Sequence, residues 1–177
     1  MPESITEYTP VHAALRSRGL AVRTWFYGSA FVLCWLGLTV VPAVAKVNGL
    51  EAVASPLYTL FSYLCHQIPD RSFHLAGEQF GVCSRCFGVY FGLASGFVVY
   101  PLWRDVADVD PLPRVWLFLS MIPIGVDWSL TVFGVWENTH LSRFVTGAIL
   151  GFACGSYIVP AVVEIVRNMR SRRTIPN

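Results

Sequence analysis

The sequence predicts an all-α, polytopic membrane protein with four transmembrane helices and one short interfacial or re-entrant helix. Composition is the first reason: 54% of the 177 residues are hydrophobic and only 14% are charged, whereas soluble domains carry about 25% charged residues. The second reason is that the apolar residues form long blocks, and a membrane-spanning helix needs roughly 20 of them. The net charge of +2 provides no bulk attraction for nucleic acid, so we exclude nucleic acid as a partner.

Four apolar blocks are the predicted spans, at residues 25–45, 83–103, 115–136 and 144–166. They divide the chain into a cytoplasmic N-terminal arm (1–23), a single membrane domain (24–166) with an external loop at 47–82, and a basic cytoplasmic tail (167–177). The Ala-Val-Ala sequence at 43–45 resembles a signal-peptidase site. We predict that the first span is retained, because its apolar run exceeds the roughly 7–15 residues of a signal peptide.

A shorter apolar piece, SPLYTLFSYLC, lies between the first two spans. Ser55 can cap a helix there, Pro56 fits the first turn, and Pro69 ends it. At about ten residues this helix is too short to cross the membrane, so we predict that it is interfacial or re-entrant.

Basic residues predict the orientation, because cytoplasmic loops of membrane proteins are rich in Lys and Arg. With four spans, one side carries Arg16, Arg18, Arg23, Arg104, Arg114, Arg167, Arg170, Arg172 and Arg173. The other side carries Lys46, Arg71, Arg85 and Arg143. We therefore expect an inner-membrane protein with both termini in the cytoplasm and the 47–82 loop outside.

Glycine recurs at every fourth position in the second and fourth spans. The six positions are Gly88, Gly92, Gly96, Gly147, Gly151 and Gly155. Small residues at this spacing let two helices approach closely in lipid. Since both spans run from outside to inside, we predict that the two stripes face each other and that the outer ends of the helices meet.

Asp127 lies inside the third span, on the order of 10 Å below its outer end. A carboxylate at that depth is costly and usually has a partner. Arg85 or Arg143 is the expected partner, and Asn138 and Thr146 lie near the same end of the helices.

The segment CHQIPDRSFHLAGEQFGVCSRC, residues 65–86, holds three of the five cysteines and two of the four histidines. Cys83 and Cys86 open a helix, where the helix dipole and Arg85 favour the thiolate form. The loop between Cys65 and Cys83 is long enough to fold back and bring Cys65 to the start of this helix. Cys65, His66, Cys83 and Cys86 can therefore converge as a Cys₃His set, which suits tetrahedral zinc.

Three functions remain open at this point. The preferred one is a zinc-stabilised membrane module that binds a partner protein or a lipid. The second is a membrane thiol–disulfide oxidoreductase that uses Cys83 and Cys86 with Cys65 as a third thiol. The third is a structural disulfide in a small accessory subunit of a membrane complex. The expected partners are the bilayer and either another membrane protein or a second copy of the chain.

The choice of histidine ligand and the role of three arginines each have an alternative. His74, and more remotely His140, can substitute for His66 as a ligand. Arg71, Arg85 and Arg143 could hold a lipid phosphate or an anionic substrate group. We expect these arginines to pair instead with carboxylates, and the candidates are Asp70, Glu78, Asp127 and Glu137.

Three sequence pieces, CHQIPDRSF, VCSRCFGVYFG and GVDW followed by ENTHLSRFVTGAILG, resemble a family of predicted prokaryotic integral membrane proteins, domain-of-unknown-function family 2085. The resemblance covers roughly residues 57–155. The family pattern falls on Cys65, His66, Gln67, Pro69, Arg71, Ser72, Cys83, Arg85, Cys86, Gly88, Tyr90, Asp127, Asn138, Arg143, Thr146 and Gly147.

This chain departs from the family pattern at Gly81, where Pro is frequent, and at Phe87, where Thr is frequent, and His74 lies outside the pattern. The resemblance implies one site built from all three pieces and supplies no activity. Around the Cys/His set, the polar surround is then Arg71, Arg85, Asp127, Asn138, Arg143 and Thr146.

Overall fold

The computed structural model describes residues 11–110 and 112–172, and the side chains of residues 18–110 and 112–171. The elements found there are α1 (Val11–Leu38), α2 (Val41–Val47), α3 (Glu51–Ser62), β1 (Ser72–Leu75), β2 (Glu78–Cys83), α4 (Ser84–Val99), α5 (Val115–Val132) and α6 (His140–Arg172). Two short 3-10 turns lie at Pro69–Arg71 and Tyr100–Leu102. Residues 1–10 of the predicted arm and 173–177 of the predicted tail lie outside the described residues, as do the side chains of Arg16 and Arg172.

Within these ranges, the helices long and apolar enough to cross a membrane are Arg18–Leu38, Ser84–Leu102, Val115–Val132 and His140–Ser171. The predicted class, an all-α polytopic membrane protein with four spans, is confirmed. The first span lies nearer the N-terminus than predicted, because α1 ends at Leu38. A turn follows in which the Thr39 hydroxyl donates to the carbonyl oxygen of Leu36 at 2.6 Å. Pro42, which lacks an N–H, then lies in the first turn of α2.

α2, α3 and the β1–β2 hairpin form a cap on the ends of α1 and α4. Phe61 of α3 is fully buried there, with its ring 5.7 Å from that of Trp35 in α1. Gly81 of β2 donates its N–H to the carbonyl oxygen of Thr39 at 2.8 Å. A Cβ at this glycine would lie 2.8 Å from the Phe61 ring, so the close packing of the cap requires glycine.

The short helix predicted between the first two spans is present, but its start was predicted wrongly. α3 begins at Glu51, so Ser55 does not cap it and Pro56 lies inside it. The reason is local: the carbonyl of Leu50 accepts the N–H of Ala54 at 3.0 Å, which starts the helix one turn earlier. It also ends at Ser62, well before Pro69.

The β1–β2 hairpin was absent from the sequence prediction. Ala76 and Gly77 at its turn both have positive φ, 49° and 88°, which is the geometry that a two-residue type I′ turn requires. Apolar side chains alternate along both strands, and the rings of Phe73 and Phe80 lie 6.1 Å apart across the pair. The hairpin matters for the site because β2 leads directly into α4.

The two glycine stripes face each other, as predicted. A Cβ built on any of the six glycines would strike a backbone carbonyl oxygen of the opposite helix. The pairs are Gly88 with Phe144, Gly92 with Ala148, Gly96 with Phe152, Gly147 with Arg85, Gly151 with Val89, and Gly155 with Leu93. Residue numbers rise together along the two helices, so α4 and α6 are parallel and their N-terminal ends meet.

The opposite end of the bundle brings together the start of α1, the loop between α4 and α5, and the end of α6. Arg18 pairs with Asp105 of the loop, with 3.4 Å between Nη2 and Oδ2. Arg167 donates from Nη2 to the carbonyl oxygen of Ala107 at 2.8 Å. The cysteine-bearing cap and these basic segments are therefore at opposite ends of the bundle.

Candidate metal centre

Three cysteine sulfurs meet at the N-terminus of α4. Cys65 follows α3, Cys83 is the last residue of β2, and Cys86 lies in the first turn of α4. Their Sγ atoms all lie within 4.8 Å of one another. Cys65 is buried, the other two are half-buried, and all three are free thiols. The hairpin produces this arrangement, because it returns the chain from Cys65 to the start of α4.

Cys83 occupies the N-cap position of α4 with an extended backbone, φ −67° and ψ 161°. Its N–H donates to the Sγ of Cys65 at 3.2 Å. Its own sulfur lies beside the thiols of Cys65 and Cys86 and at the N-terminus of α4, near the backbone N–H groups of Cys86 and Arg85. Together these groups lower the pKa of Cys83 well below its ordinary value, although partial burial opposes them. A lowered pKa favours the thiolate at this position, which is the form that binds metal or attacks a disulfide.

Gln67 anchors the segment that follows α3. Its backbone is left-handed, with φ 49°, and its side chain points back into the cap. Nε2 donates to the carbonyl oxygens of Tyr58 in α3 and Gly81 in β2, both at 2.8 Å. The segment is thus tied to α3 and to the hairpin at once, which fixes Cys65 relative to the start of α4.

Asp127 of α5 is paired with Arg85, one of the two partners expected from the sequence. Nη2 of Arg85 lies 2.6 Å from Oδ2 of Asp127. Nδ2 of Asn138 donates to the same Oδ2 at 2.6 Å and to the Asp127 carbonyl oxygen at 2.8 Å. The Thr131 hydroxyl donates to Oδ1 of Asn138. This network attaches α5 to the N-terminal end of α4 and holds Arg85 beside the cysteines.

A cavity of about 410 Å³ opens beside the three sulfurs, and its wall includes Arg71, Arg85 and Arg143. Arg143 is only 9% exposed, and its side chain has no hydrogen bond or ion pair with any described residue. Arg71 is exposed, and its side chain likewise pairs with no carboxylate of the described chain. Among the described residues, the carboxylate pairing expected for the three arginines is found for Arg85 and not for Arg71 or Arg143. Glu78, one of the expected partners, pairs with Lys46 at 2.8 Å instead.

Most of the predicted site residues border this cavity. Those that line it are Cys65, His66, Arg71, Cys83, Arg85, Cys86, Asn138 and Arg143. Asp127 lies behind Arg85, to which it is bonded. Thr146 is not part of the wall, and its hydroxyl donates within its own helix to the carbonyl oxygen of Ser142 at 2.8 Å.

The histidines differ in their relation to the sulfurs. His66 lines the cavity, but its ring nitrogens do not belong to the group of ligand atoms within 4.8 Å of one another. His74 is exposed on β1, and His140 packs its ring 5.8 Å from that of Phe73. Neither of these two lines the cavity. Its wall therefore offers one imidazole, that of His66, from the described side chains.

The predicted site residues leave out several residues of the cavity wall, three of them polar or aromatic. Gln67 and Trp128 line the cavity, as does Thr131. Gln67 directly follows the Cys-His pair and belongs to the family pattern, so its position was a usable signal. Thr131 lies four residues after Asp127 on the same helix, and that spacing places both side chains on one face.

Comparison with known proteins agrees with a membrane architecture. A family model described as "Predicted membrane protein (DUF2085)" matches residues 65–157. An uncharacterized protein of Methanocaldococcus jannaschii is 34% identical over 142 residues, which cover 77% of this chain and 90% of that relative. An uncharacterized protein of Methanothermobacter thermautotrophicus is 34% identical over 94 residues, or 51% of this chain and 80% of that relative. No solved structure matches the chain.

Proposed function

The chain belongs to the DUF2085 family of predicted membrane proteins, and we propose that it is a membrane module in which Cys65, Cys83 and Cys86 hold a zinc ion. The observation that carries this proposal is the convergence of the three Sγ atoms within 4.8 Å. Thiolates are soft ligands that favour zinc over magnesium or calcium. Bound zinc would link Cys65, which follows α3 in the cap, to Cys83 and Cys86 at the start of α4.

The hydrogen bonds around the sulfurs support the same assignment. The Cys83 N–H donates to the Sγ of Cys65 at 3.2 Å, and Cys83 lies at the N-terminus of α4, beside the N–H groups of its first turn. Such donors spread the negative charge of a metal-bound thiolate and fix its orientation. In this proposal the cysteines bind as thiolates, and the helix N-terminus stabilises them before and after the ion arrives.

His66 is the fourth ligand that we propose. It follows Cys65 directly, it lines the cavity, and it is exposed, so its side chain has room to turn toward the sulfurs. A single imidazole completes a tetrahedral Cys₃His set.

We infer an inner-membrane location with the cysteine cluster on the extracytoplasmic side. Among the described side chains, the end of the bundle away from the cluster carries six basic ones: Arg18, Arg23, Arg104, Arg114, Arg167 and Arg170. The cluster end carries Lys46, Arg71, Arg85 and Arg143. The positive-inside rule then favours a cytoplasmic position for both termini.

The partner of this module is proposed to be a lipid or another membrane protein. Apolar side chains at the mouth of the cavity support a partner that comes from within the membrane. Leu64, Trp128 and Val132 all line the cavity, and they are 52%, 57% and 58% exposed. A zinc-braced cap would keep this mouth in a fixed shape for such a partner.

Thiol–disulfide exchange is the second candidate, and the lowered pKa of Cys83 favours it. The Cys83 thiolate would attack a substrate disulfide, and Cys86 would then displace the substrate thiol. The enzyme pair is oxidised to one disulfide while the substrate disulfide is reduced to two thiols. An extracytoplasmic position permits this chemistry.

Metal analysis of the purified full chain in detergent tests the zinc proposal. We expect one zinc per chain, lost when Cys65, Cys83 or Cys86 is replaced by Ser. Cys154→Ser is the matched control, because that half-buried thiol lies in α6 outside the group. Removal of the metal with a chelator should make three further thiols, those of Cys65, Cys83 and Cys86, reactive toward a thiol reagent.

A metal-free wild-type protein with no change in thiol count on chelation would overturn the zinc proposal. If such a protein also holds a Cys83–Cys86 disulfide that dithiothreitol opens readily, the oxidoreductase becomes the better account. A disulfide that resists reduction would instead point to the structural disulfide predicted as the third possibility.

A further inference from the structure

We propose that the cavity beside the cysteines binds a phosphate-type anion through Arg71, Arg85 and Arg143. This inference deepens the function proposed above, on which it rests for the role of the cavity as a binding site, and it gives the partner a chemical class. The ligand is either the phosphate of a lipid headgroup or a free phosphate, since both present the same oxygen atoms.

Arg143 provides the strongest argument for such a ligand. It is nine-tenths buried, it lines the cavity, and its guanidinium has no partner among the described side chains. Burying a charge without a partner is costly, and in membrane proteins such a residue usually serves a binding role. The nearby Asp127 is already paired with another cation: its Oδ2 accepts bonds from Arg85 and Asn138, each at 2.6 Å.

The balance of charge in the cavity points the same way. Three guanidinium groups line it, and Asp127 neutralises one of them through Arg85. Positive charge is therefore in excess at Arg71 and Arg143, and an anion entering the cavity would restore neutrality.

The geometry suits phosphate among the anions. Guanidinium groups bind phosphate oxygens through paired N–H donors in a fixed fork. Arg71 approaches from the cap and Arg143 from the first turn of α6, so two such forks can reach one ligand from different sides. Ser84, fully buried, donates to the carbonyl oxygen of Arg71 at 2.9 Å and fixes the backbone from which the first fork extends. A volume of about 410 Å³ lies within the range of small-ligand sites.

The test uses the lipid-depleted full chain in neutral detergent. Thermal unfolding and native mass spectrometry are recorded with phosphatidylglycerol, with dioleoylglycerol, or with inorganic phosphate against chloride at equal ionic strength. Dioleoylglycerol is the matched control for the lipid, because it has acyl chains and no phosphate. We expect phosphatidylglycerol or inorganic phosphate to raise the unfolding midpoint of the wild type, while dioleoylglycerol does not.

Three variants make the test specific. Arg143→Gln and Arg71→Gln should each lower the affinity for the anion by about tenfold or more, the loss expected for a charge-assisted hydrogen bond. Arg71 is exposed, so its variant should fold even if Arg143→Gln does not. Arg114→Gln is the control, because it removes an exposed charge outside the cavity wall and should bind as the wild type does.

The outcomes separate the two sources and the two proposals. A response to phosphatidylglycerol alone identifies a headgroup, and a response to inorganic phosphate alone identifies a soluble anion. Equal responses to phosphatidylglycerol and dioleoylglycerol without any response to phosphate, or wild-type affinity in both arginine variants, would overturn the inference. Zinc is measured on the same samples, so phosphate binding without metal would overturn only the zinc proposal, and metal without phosphate binding only this one.

Discussion

Gly92 of α4 lies directly against the carbonyl oxygen of Ala148 in α6, with no room for a side chain between the two backbones. Gly151 of α6 makes the reciprocal contact with the carbonyl oxygen of Val89. In lipid the hydrophobic effect does not drive helices together, so close backbone packing of this kind supplies much of the attraction between α4 and α6. The same packing holds Arg143 beside the start of α4, and the geometry of the cavity therefore depends on it.

Gly92→Ala and Gly151→Ala are expected to destabilise the fold by about 2 kcal/mol each, because the added Cβ would force α4 and α6 apart. Gly125→Ala in α5 is the matched control, since a Cβ there meets nothing within 4 Å. Alanine should stabilise that helix by up to about 1 kcal/mol. Reversible unfolding in mixed micelles, followed by circular dichroism, measures all three. Equal effects at the three positions would contradict a specific α4–α6 contact.

Asp127→Asn should destabilise the fold by about 2 kcal/mol. Removing one partner of a buried ion pair leaves the other charge uncompensated, which typically costs 3–5 kcal/mol; we expect less here because the Arg85 side chain is 24% exposed. Asp105→Asn is the control. Asp105 pairs with Arg18, both side chains are exposed, and such a pair should contribute less than about 1 kcal/mol to the stability of the fold. The same unfolding measurement compares them, and a smaller loss at Asp127 than at Asp105 would contradict the buried network.

The membrane class and the facing glycine stripes were predictable because both depend on local patterns. Hydropathy locates a span without reference to any neighbour, and Gly88 to Gly155 repeat at a spacing that only a helix face explains. The break of α1 at Thr39 was harder to predict. The apolar run continues through Pro42, and the end of the helix depends on a cap that packs against it.

The sequence indicated which residues form the site better than it indicated how they are arranged in space. The cysteines converge because β2 carries the chain into α4, and no residue of that hairpin has a strong turn signature of the Asn-Gly kind. Gln67 was named in the family pattern without a role, because its role depends on two carbonyl oxygens, of Tyr58 and Gly81, that are distant in sequence. Which carboxylate pairs with which arginine also depends on tertiary packing, so Glu78 was expected near the arginines and is found with Lys46.

His66→Ala should keep zinc in the protein but bind it more weakly, by on the order of 10- to 100-fold, because three thiolates remain and one ligand is lost. His74→Ala is the control, since His74 is exposed on β1 and does not line the cavity. Competition with a chelator of known zinc affinity measures both variants. Wild-type affinity in His66→Ala would remove His66 from the ligand set and leave the fourth position to a non-protein ligand.

The reactivity of Cys83 in metal-free protein should depend only weakly on pH. Its lowered pKa means that the thiolate persists as the pH falls, so alkylation by iodoacetamide should change little between pH 8 and pH 6. In the unfolded chain the pKa returns to about 8.5, and the rate should then fall about tenfold per pH unit. Peptide mass spectrometry quantifies Cys83 in both states. A tenfold fall per unit in the folded protein would show that the thiols of Cys65 and Cys86 and the N–H groups of α4 do not stabilise the thiolate.

Labelling of introduced cysteines tests the orientation that we propose. His74 lies on the exposed face of β1 in the cap, and Asp105 lies in the loop at the opposite, more basic end of the bundle. Because the basic end should be cytoplasmic, a membrane-impermeant maleimide should label His74→Cys in intact spheroplasts and Asp105→Cys only after permeabilisation.

The wild type provides the background from native thiols in the same labelling experiment, and permeabilised cells give the maximum for each variant. The reverse pattern would place Cys65, Cys83 and Cys86 in the cytosol. The reducing environment there disfavours stable disulfides, so the structural disulfide would lose its support. The zinc site would remain possible on either side, since thiolate ligation does not require an oxidising compartment. The side on which the label appears therefore tests the topology, and a cytosolic position of the cluster would in addition count against the structural disulfide.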